Sequence, residues 1–207
     1  MNLDPLKLLE AMAATVRAHA DELTALDQAI GDADHGVNMR RGFDAIAESR
    51  EALAGLPVGQ VLQKAGMTLV MKVGGASGPL YGSLFMAVGK AMPEAPDLEA
   101  FAKAFEAGVV SVKQRGRSDV GDKTMLDVLV PVSVALSAGV EQGEAPDRLL
   151  TLIPQQAAAG LEATRALSAN KGRASYLGER SIGHLDPGAR SSQLLIEAVC
   201  QSFGGQS

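Results

Sequence analysis

The chain has 207 residues, 46% of them hydrophobic and 21% charged, enough apolar mass for one sizeable core. Its formal net charge is -5, with 3% aromatics and no Trp, so it lacks both the basic stripe and the stacking rings that bind nucleic acid. No apolar run reaches about 18 residues free of charge, and MNLDPLKLLE shows no charged-then-apolar leader, so no membrane span is expected and the cytoplasm is the expected location.

Helical periodicity dominates. Leu6, Leu9, Met12, Val16, Leu23 and Leu26 recur mostly at spacings of three and four, and Asp4-Pro5 supplies a cap and a first turn, which predicts one long opening helix. A second helix is predicted from about Val37 to Arg50, and a third from about Val58 to Val73, stopped by Gly74-Gly75. Ser77 and Pro79 open a fourth. Asp97 opens a fifth, with Leu98, Phe101, Phe105 and Val112 inward. Asp122 opens a sixth that bends at Pro131. A seventh covers Asp147 to Leu167 with Pro154 near its first turns, and Asp186-Pro187 opens the last.

VLVPVSVAL is the one β-rich run, but its proline and its length favour a bent buried helix. The expected fold is therefore all-α, one domain over 1–207, as an eight-helix antiparallel up-and-down bundle or closed helical barrel. Most connections are short. The exception runs from Ser168 to Gly188 and carries both apolar anchors and charges, which points to function. Cys200 is the only cysteine and lies in the apolar stretch LLIEAVCQSF, as a buried thiol does.

Four segments carry chemistry. In LDQAIGDADHGVNM, Asp27, Asp32 and Asp34 fall within eight residues, with Gly31 and Gly36 allowing sharp turns. Carboxylates brought that close repel unless a cation intervenes, and hard cations such as Mg²⁺ take oxygen ligands. Two capping aspartates in a polar loop would give the same spacing. His35 and Asn38 follow at a helix start, where free N–H groups favour anions. In VGGASGPLYGS, Gly74, Gly75 and Gly78 surround Ser77, either as a backbone nest for phosphate or as a plain helix–helix turn.

QRGRSDVGDKTMLDV imitates a Walker A loop through Gly116, Gly121 and Lys123-Thr124, but it is out of register by one residue, Asp122, and follows a helix, so that reading is rejected. The loop still offers Gly116, Gly121, Thr124 and Met125 to a ligand, with Asp122 as a helix cap. KGRASYLGERSIGHLDPGA brings Lys171, Arg173, Arg180 and His184 to an acidic chain, either to close over phosphates or to pair with surface acids. Taken alone, these residues specify a metal-assisted anion site.

The four segments, in this order and across essentially the whole chain, resemble the nucleotide-binding L subunits of bacterial dihydroxyacetone kinases. The resemblance implies an eight-helix antiparallel barrel holding ADP or ATP and two Mg²⁺ at one end. Asp27, Asp32 and Asp34 would hold the metals. His35 and Asn38 would contact phosphate, as would Ala76 and Ser77 in the glycine turn. Leu80, Gly116, Thr124 and Met125 would line the nucleotide pocket, and Arg173, Asp186 and Gly188 would complete it. No side chain would carry the phosphoryl group.

In that family a separate K subunit holds dihydroxyacetone. The nucleotide either exchanges as free ATP or is recharged in place by an M-type phosphoprotein of the phosphotransferase system, fed from phosphoenolpyruvate. The absence of a K region in these 207 residues leans to the second version. A homodimer, contact with a transcription regulator, and a different small-sugar acceptor are further expectations the resemblance carries.

Overall fold

The computed structural model describes residues 4–204, so the terminal residues of the expected 1–207 domain lie outside the described residues. Among the described residues the regular structure is ten α-helices and two 3-10 segments, with no strand. The helices are α1 (Pro5–Ala18), α2 (Ala20–Ile30), α3 (His35–Glu48), α4 (Arg50–Leu53), α5 (Val58–Lys72) and α6 (Ser77–Ala91). They continue as α7 (Leu98–Gly116), α8 (Leu126–Glu141), α9 (Pro146–Ala163) and α10 (Pro187–Gly204). The 3-10 segments are Thr164–Ala166 and Arg173–Ser181.

Packing order follows the chain. α1 lies on α3, α3 on α5, α5 on α6, α6 on α7, α7 on α8, α8 on α9 and α9 on α10, and α10 returns to α1. One apolar cluster draws on each member of this ring, from Leu8 and Phe43 through Val61, Phe85 and Val109 to Leu129, Ile153 and Leu195. Each such aliphatic side chain removed from water contributes roughly 1.5–3 kcal/mol. Phe43 and Phe85 meet edge to face at 6.2 Å, tying α3 to α6. Between α5 and α6 the backbones themselves touch: a Cβ at Gly59 would lie 2.5 Å from the Gly89 carbonyl, and one at Gly66 2.8 Å from that of Gly82.

Asp4 caps α1 as expected, accepting from the Leu6 and Lys7 N–H groups. The long opening helix is interrupted. At His19 (φ -110°, ψ 8°) the chain leaves helical geometry, and α2 then packs on α3 and α10. Neither Gly nor Pro marks that break, so apolar spacing alone did not reveal it. The helix expected from Asp122 begins at Leu126, because Gly121 (φ 95°) and Lys123 (φ 61°) are left-handed. Asp122 instead accepts from the Asp119 N–H (2.9 Å) and the Asn170 side chain (3.2 Å), joining two loops. α8 runs on through Pro131.

The Ser168–Gly188 connection is ordered by its apolar anchors. Ala169, Ala174 and Leu177 pack against Ile30 at the end of α2. Cys200 is buried, and burial pushes its thiol up to about 11. No helix among the described residues is long and apolar enough to cross a membrane.

Candidate nucleotide and metal site

The α2–α3 connection brings the three aspartates together. Asp27 sits in the last turn of α2 and is buried, and Asp32 and Asp34 are exposed in the short link that follows. One carboxylate oxygen from each lies within 4.8 Å of the others. The Asp27 Oδ2 accepts from the backbone N–H groups of Asp34 (2.9 Å) and His35 (3.2 Å), so this aspartate also caps α3. The capping reading of the motif therefore holds at Asp27. Its Oδ1 faces Gly31, where a Cβ would collide with it, which fixes glycine at that position. Asp34 makes no side-chain capping bond to α3. Three hard oxygen donors gathered on one edge of an acidic protein fit Mg²⁺ rather than a soft metal.

These aspartates form one wall of a cleft of about 930 Å³. The glycine turn forms the next wall: Gly75 takes φ 64°, and Ala76 and Ser77 lead into α6 with the N–H groups of its first turn unclaimed by capping side chains. Leu80 and Gly116 supply an apolar side, with a Cβ at Gly116 falling 3.3 Å from Leu80 Cδ2. Thr124 and Met125 enter from the start of α8. Asp127 holds that loop in shape, accepting from the N–H groups of Gly121 (2.7 Å) and Thr124 (2.7 Å).

The long connection closes the remaining side. Arg173 reaches back to pair with Asp32 at 3.0 Å. Asp186 and Gly188 stand at the start of α10, where the Asp186 carboxylate accepts from the Ala189 N–H at 2.7 Å.

Two expected contacts take a different form. Asn38 does not line the cleft: it is buried behind the glycine turn, packed under Gly74, and its oxygen accepts from Arg41 at 2.6 Å. His35 lines the cleft, but both of its ring nitrogens are taken by hydroxyl groups, Nδ1 by Ser77 (3.1 Å) and Nε2 by Ser191 (2.9 Å). Burial pushes the ring's pKa down, against the opposing pull of Asp27 and Asp34.

Lys123, the residue that mimicked a Walker lysine, points inward. Its ammonium is buried and donates to the carbonyls of Thr164 (2.6 Å) and His184 (2.5 Å). Burial lowers its pKa while Asp186 and Asp127 raise it. His184 itself is exposed and outside the cleft lining, as are Lys72 and Arg180, whereas Lys171 and Arg115 belong to it. Arg115 was legible as the basic end of a helix running into Gly116 but carried no distinguishing pattern. Tyr81 and Ser191 were missed. Their only signal is a polar group on the apolar face of a helix.

Asp186 makes a pH-dependent prediction. Burial, with Asp127 adding to it, pushes its carboxyl up to about 7, against the pull of the Ala189 N–H and of Lys123. The folded protein then keeps a proton that the unfolded chain releases near pH 4. This contribution to stability is fully present below about pH 4 and is lost as pH rises through about 7. Wild type is therefore expected to lose stability relative to Asp186→Asn across that window, by at most about 4 kcal/mol. Urea midpoints of the two proteins between pH 4 and 8 check this, and parallel profiles would contradict it.

The family model of the DAK2 domain matches residues 29–201. The chain is 46% identical over 198 residues, 95% of its length and 94% of the relative's, to "PEP-dependent dihydroxyacetone kinase 1, ADP-binding subunit DhaL" of Listeria innocua. It is 44% identical over 182 residues, 87% of each chain, to the ADP-binding subunit DhaL of the PEP-dependent dihydroxyacetone kinase of Escherichia coli. The human triokinase/FMN cyclase is 33% identical over 94% of this chain but only 34% of its own length. Among solved structures, the dihydroxyacetone kinase of C. freundii in complex with AMP-PNP and Mg²⁺ superposes with a TM-score of 0.74 at 26% identity, covering 95% of this chain and 33% of that one. By sequence and by fold, this chain belongs to the DAK2 domain family.

Proposed function

We propose that this chain is the phosphoryl-transfer subunit of a dihydroxyacetone kinase, holding ADP or ATP with two Mg²⁺ and passing phosphate to dihydroxyacetone on a separate subunit. The observation that carries this reading is one cleft that joins three clustered aspartates, a glycine turn at a helix start, and an apolar side. The names of the Listeria and Escherichia relatives, PEP-dependent kinases with an ADP-binding subunit, support a phosphoenolpyruvate-linked source and at least one further subunit. A sugar-holding subunit and a phosphotransferase-system protein as partners, in the cytoplasm, complete the proposal.

Each residue has a part. Asp27, Asp32 and Asp34 would hold the metal, whose charge would neutralise a polyphosphate and the charge developing on its transferred group. Ser77 and the backbone of Gly75 and Ala76 orient phosphate oxygens. Leu80, Gly116 and Met125 give the base an apolar seat. Arg173, paired with Asp32 at the rim of the cleft, would bring positive charge to the phosphates. Asp186 fixes the first turn of α10 beneath the ligand.

No side chain in this arrangement accepts phosphate. His35 is hydrogen-bonded at both nitrogens, His184 lies outside the cleft, and His19 ends α1, paired with Glu22. Purified chain supplied with labelled phosphoenolpyruvate and the phosphotransferase proteins, then denatured, is expected to release label as ATP with the polypeptide unlabelled. His184→Ala is expected to behave as wild type. Label that stays on the protein and vanishes in His184→Ala would establish a phosphohistidine relay instead.

A further inference from the structure

The chain is acidic overall, yet one of its faces is apolar and basic together. On α5, Met67 and Met71 stand one turn apart on the outward side, 55% and 70% exposed. On α3, which packs on α5, Val37 is 46% exposed. Apolar side chains scattered singly over a surface are ordinary, but these three stand amid like charge. Arg40 and Arg41 on α3 and Lys64 and Lys72 on α5 are all exposed. The Arg41 guanidinium donates to the Lys72 carbonyl at 2.7 Å, tying α3 to the end of α5. None of the four cations has a carboxylate partner among the described residues, whereas Arg17, Arg50, Arg165 and Arg190 each have one. Asp44, one turn on along α3, is already taken by Arg17. A chain of net charge -5 that leaves these cations unpaired in one place presents the complement of an acidic surface.

The face runs up to the cleft. Val37 follows the cleft-lining His35 by two residues, and Lys72 is followed by Val73 and then by Gly74 and Gly75, which line the cleft as well. The edge of the face is therefore the end of the cleft that holds the aspartates and the glycine turn.

We propose that this α3–α5 face docks the phosphoprotein that recharges the nucleotide, which meets the methionines with an apolar centre and the four cations with an acidic rim. This rests on the reading of the cleft as a nucleotide site. Charge selects that partner over the sugar-holding one. A phosphoryl group on a side chain carries about -1.5 to -2 charges, whereas dihydroxyacetone is neutral. The group passes whole from the donor's side chain to the terminal oxygen of ADP, so the donor leaves with that charge removed. Cations at the edge of the cleft attract the loaded donor more strongly than the discharged one, and binding weakens once transfer is complete. Methionine, flexible and polarisable, suits a surface that a partner repeatedly joins and leaves. An anionic membrane would answer the cations too, but no Trp or Phe lies on this face to sit among lipids.

The test is transfer in the complete system: this chain, its phosphoenolpyruvate-fed phosphotransferase protein, the sugar-holding subunit and dihydroxyacetone. In Met71→Glu, and in Lys64→Glu combined with Lys72→Glu, the half-saturating concentration of the phosphotransferase protein is expected to rise about tenfold or more, as when an interface anchor is lost or like charges are opposed. Turnover at saturation, Mg²⁺·ADP affinity by calorimetry and the half-saturating concentration of the sugar-holding subunit are expected to stay within about twofold, as for exposed substitutions away from a site. Added salt is expected to weaken wild type more than the charge-reversed protein. An unchanged requirement for the phosphotransferase protein, or an equal rise for the sugar-holding subunit, would overturn the proposal and leave the nucleotide reading standing. So would ADP-loaded wild type that the phosphotransferase protein does not recharge, and wild type that pairs with itself or sediments with phosphatidylserine vesicles through Met71. Wild type that fails to bind Mg²⁺·ADP would take both down.

Discussion

Chelation of divalent metal is expected to release ADP from the protein, lowering its affinity by at least roughly a hundredfold. Carboxylate oxygens no more than 4.8 Å apart repel pairwise by about 1 kcal/mol at the dielectric of water and about 3.5 kcal/mol at the lower value near a protein surface. A diphosphate placed against them adds further like charge. Without a cation the site therefore holds neither its own geometry nor its ligand, and each decade of affinity is about 1.4 kcal/mol.

Asp27→Asn separates two roles in the same residue. The amide keeps an oxygen for the Asp34 and His35 N–H groups, so α3 stays capped and folding stability is expected to change by no more than about 1 kcal/mol. The negative charge is gone, so metal-dependent retention is expected to collapse as it does in EDTA. Asp32→Asn is expected to weaken binding as well while also releasing Arg173. Calorimetry with and without Mg²⁺ decides the matter, and equal ADP affinity in EDTA would refute it.

Replacing Lys123 by Met is expected to destabilise the fold by about 3 kcal/mol, more than any exposed substitution in the chain. The ammonium answers the carbonyls of Thr164 and His184 and offsets the charge of Asp186. Methionine fills the space but gives neither carbonyl a donor and Asp186 no counter-charge. For a chain of this size that loss lowers Tm by roughly 6–12 °C. Chemical denaturation measures the loss, and one under about 1 kcal/mol would mean that water takes over the ammonium's bonds.

The sequence made the helices legible because their apolar faces repeat faithfully and their caps are marked, as at Asp4-Pro5 and Asp186-Pro187. It did not mark the break at His19, which no glycine or proline announces, nor the late start of α8, which depends on a left-handed lysine. The aspartate cluster was legible because three like charges in eight residues are costly to place idly. The inner shell was not. Tyr81, Ser191 and His35 are 42 to 156 residues from the side chains they bond, and no local pattern records such a meeting. Asn38 is bonded in a way its place beside the motif did not announce: its side-chain oxygen accepts from Arg41.

The α5–α6 seam and the long connection that borders the cleft differ in how they can yield. At the seam, glycines let main chain approach main chain closely, a contact with little room to rearrange. The connection leans on a handful of groups: Ile30, Ala169, Ala174, Leu177 and one ammonium. On the proposed reading, a nucleotide would enter and leave on that second side, and its residence time would be set by how firmly these few anchors hold the connection.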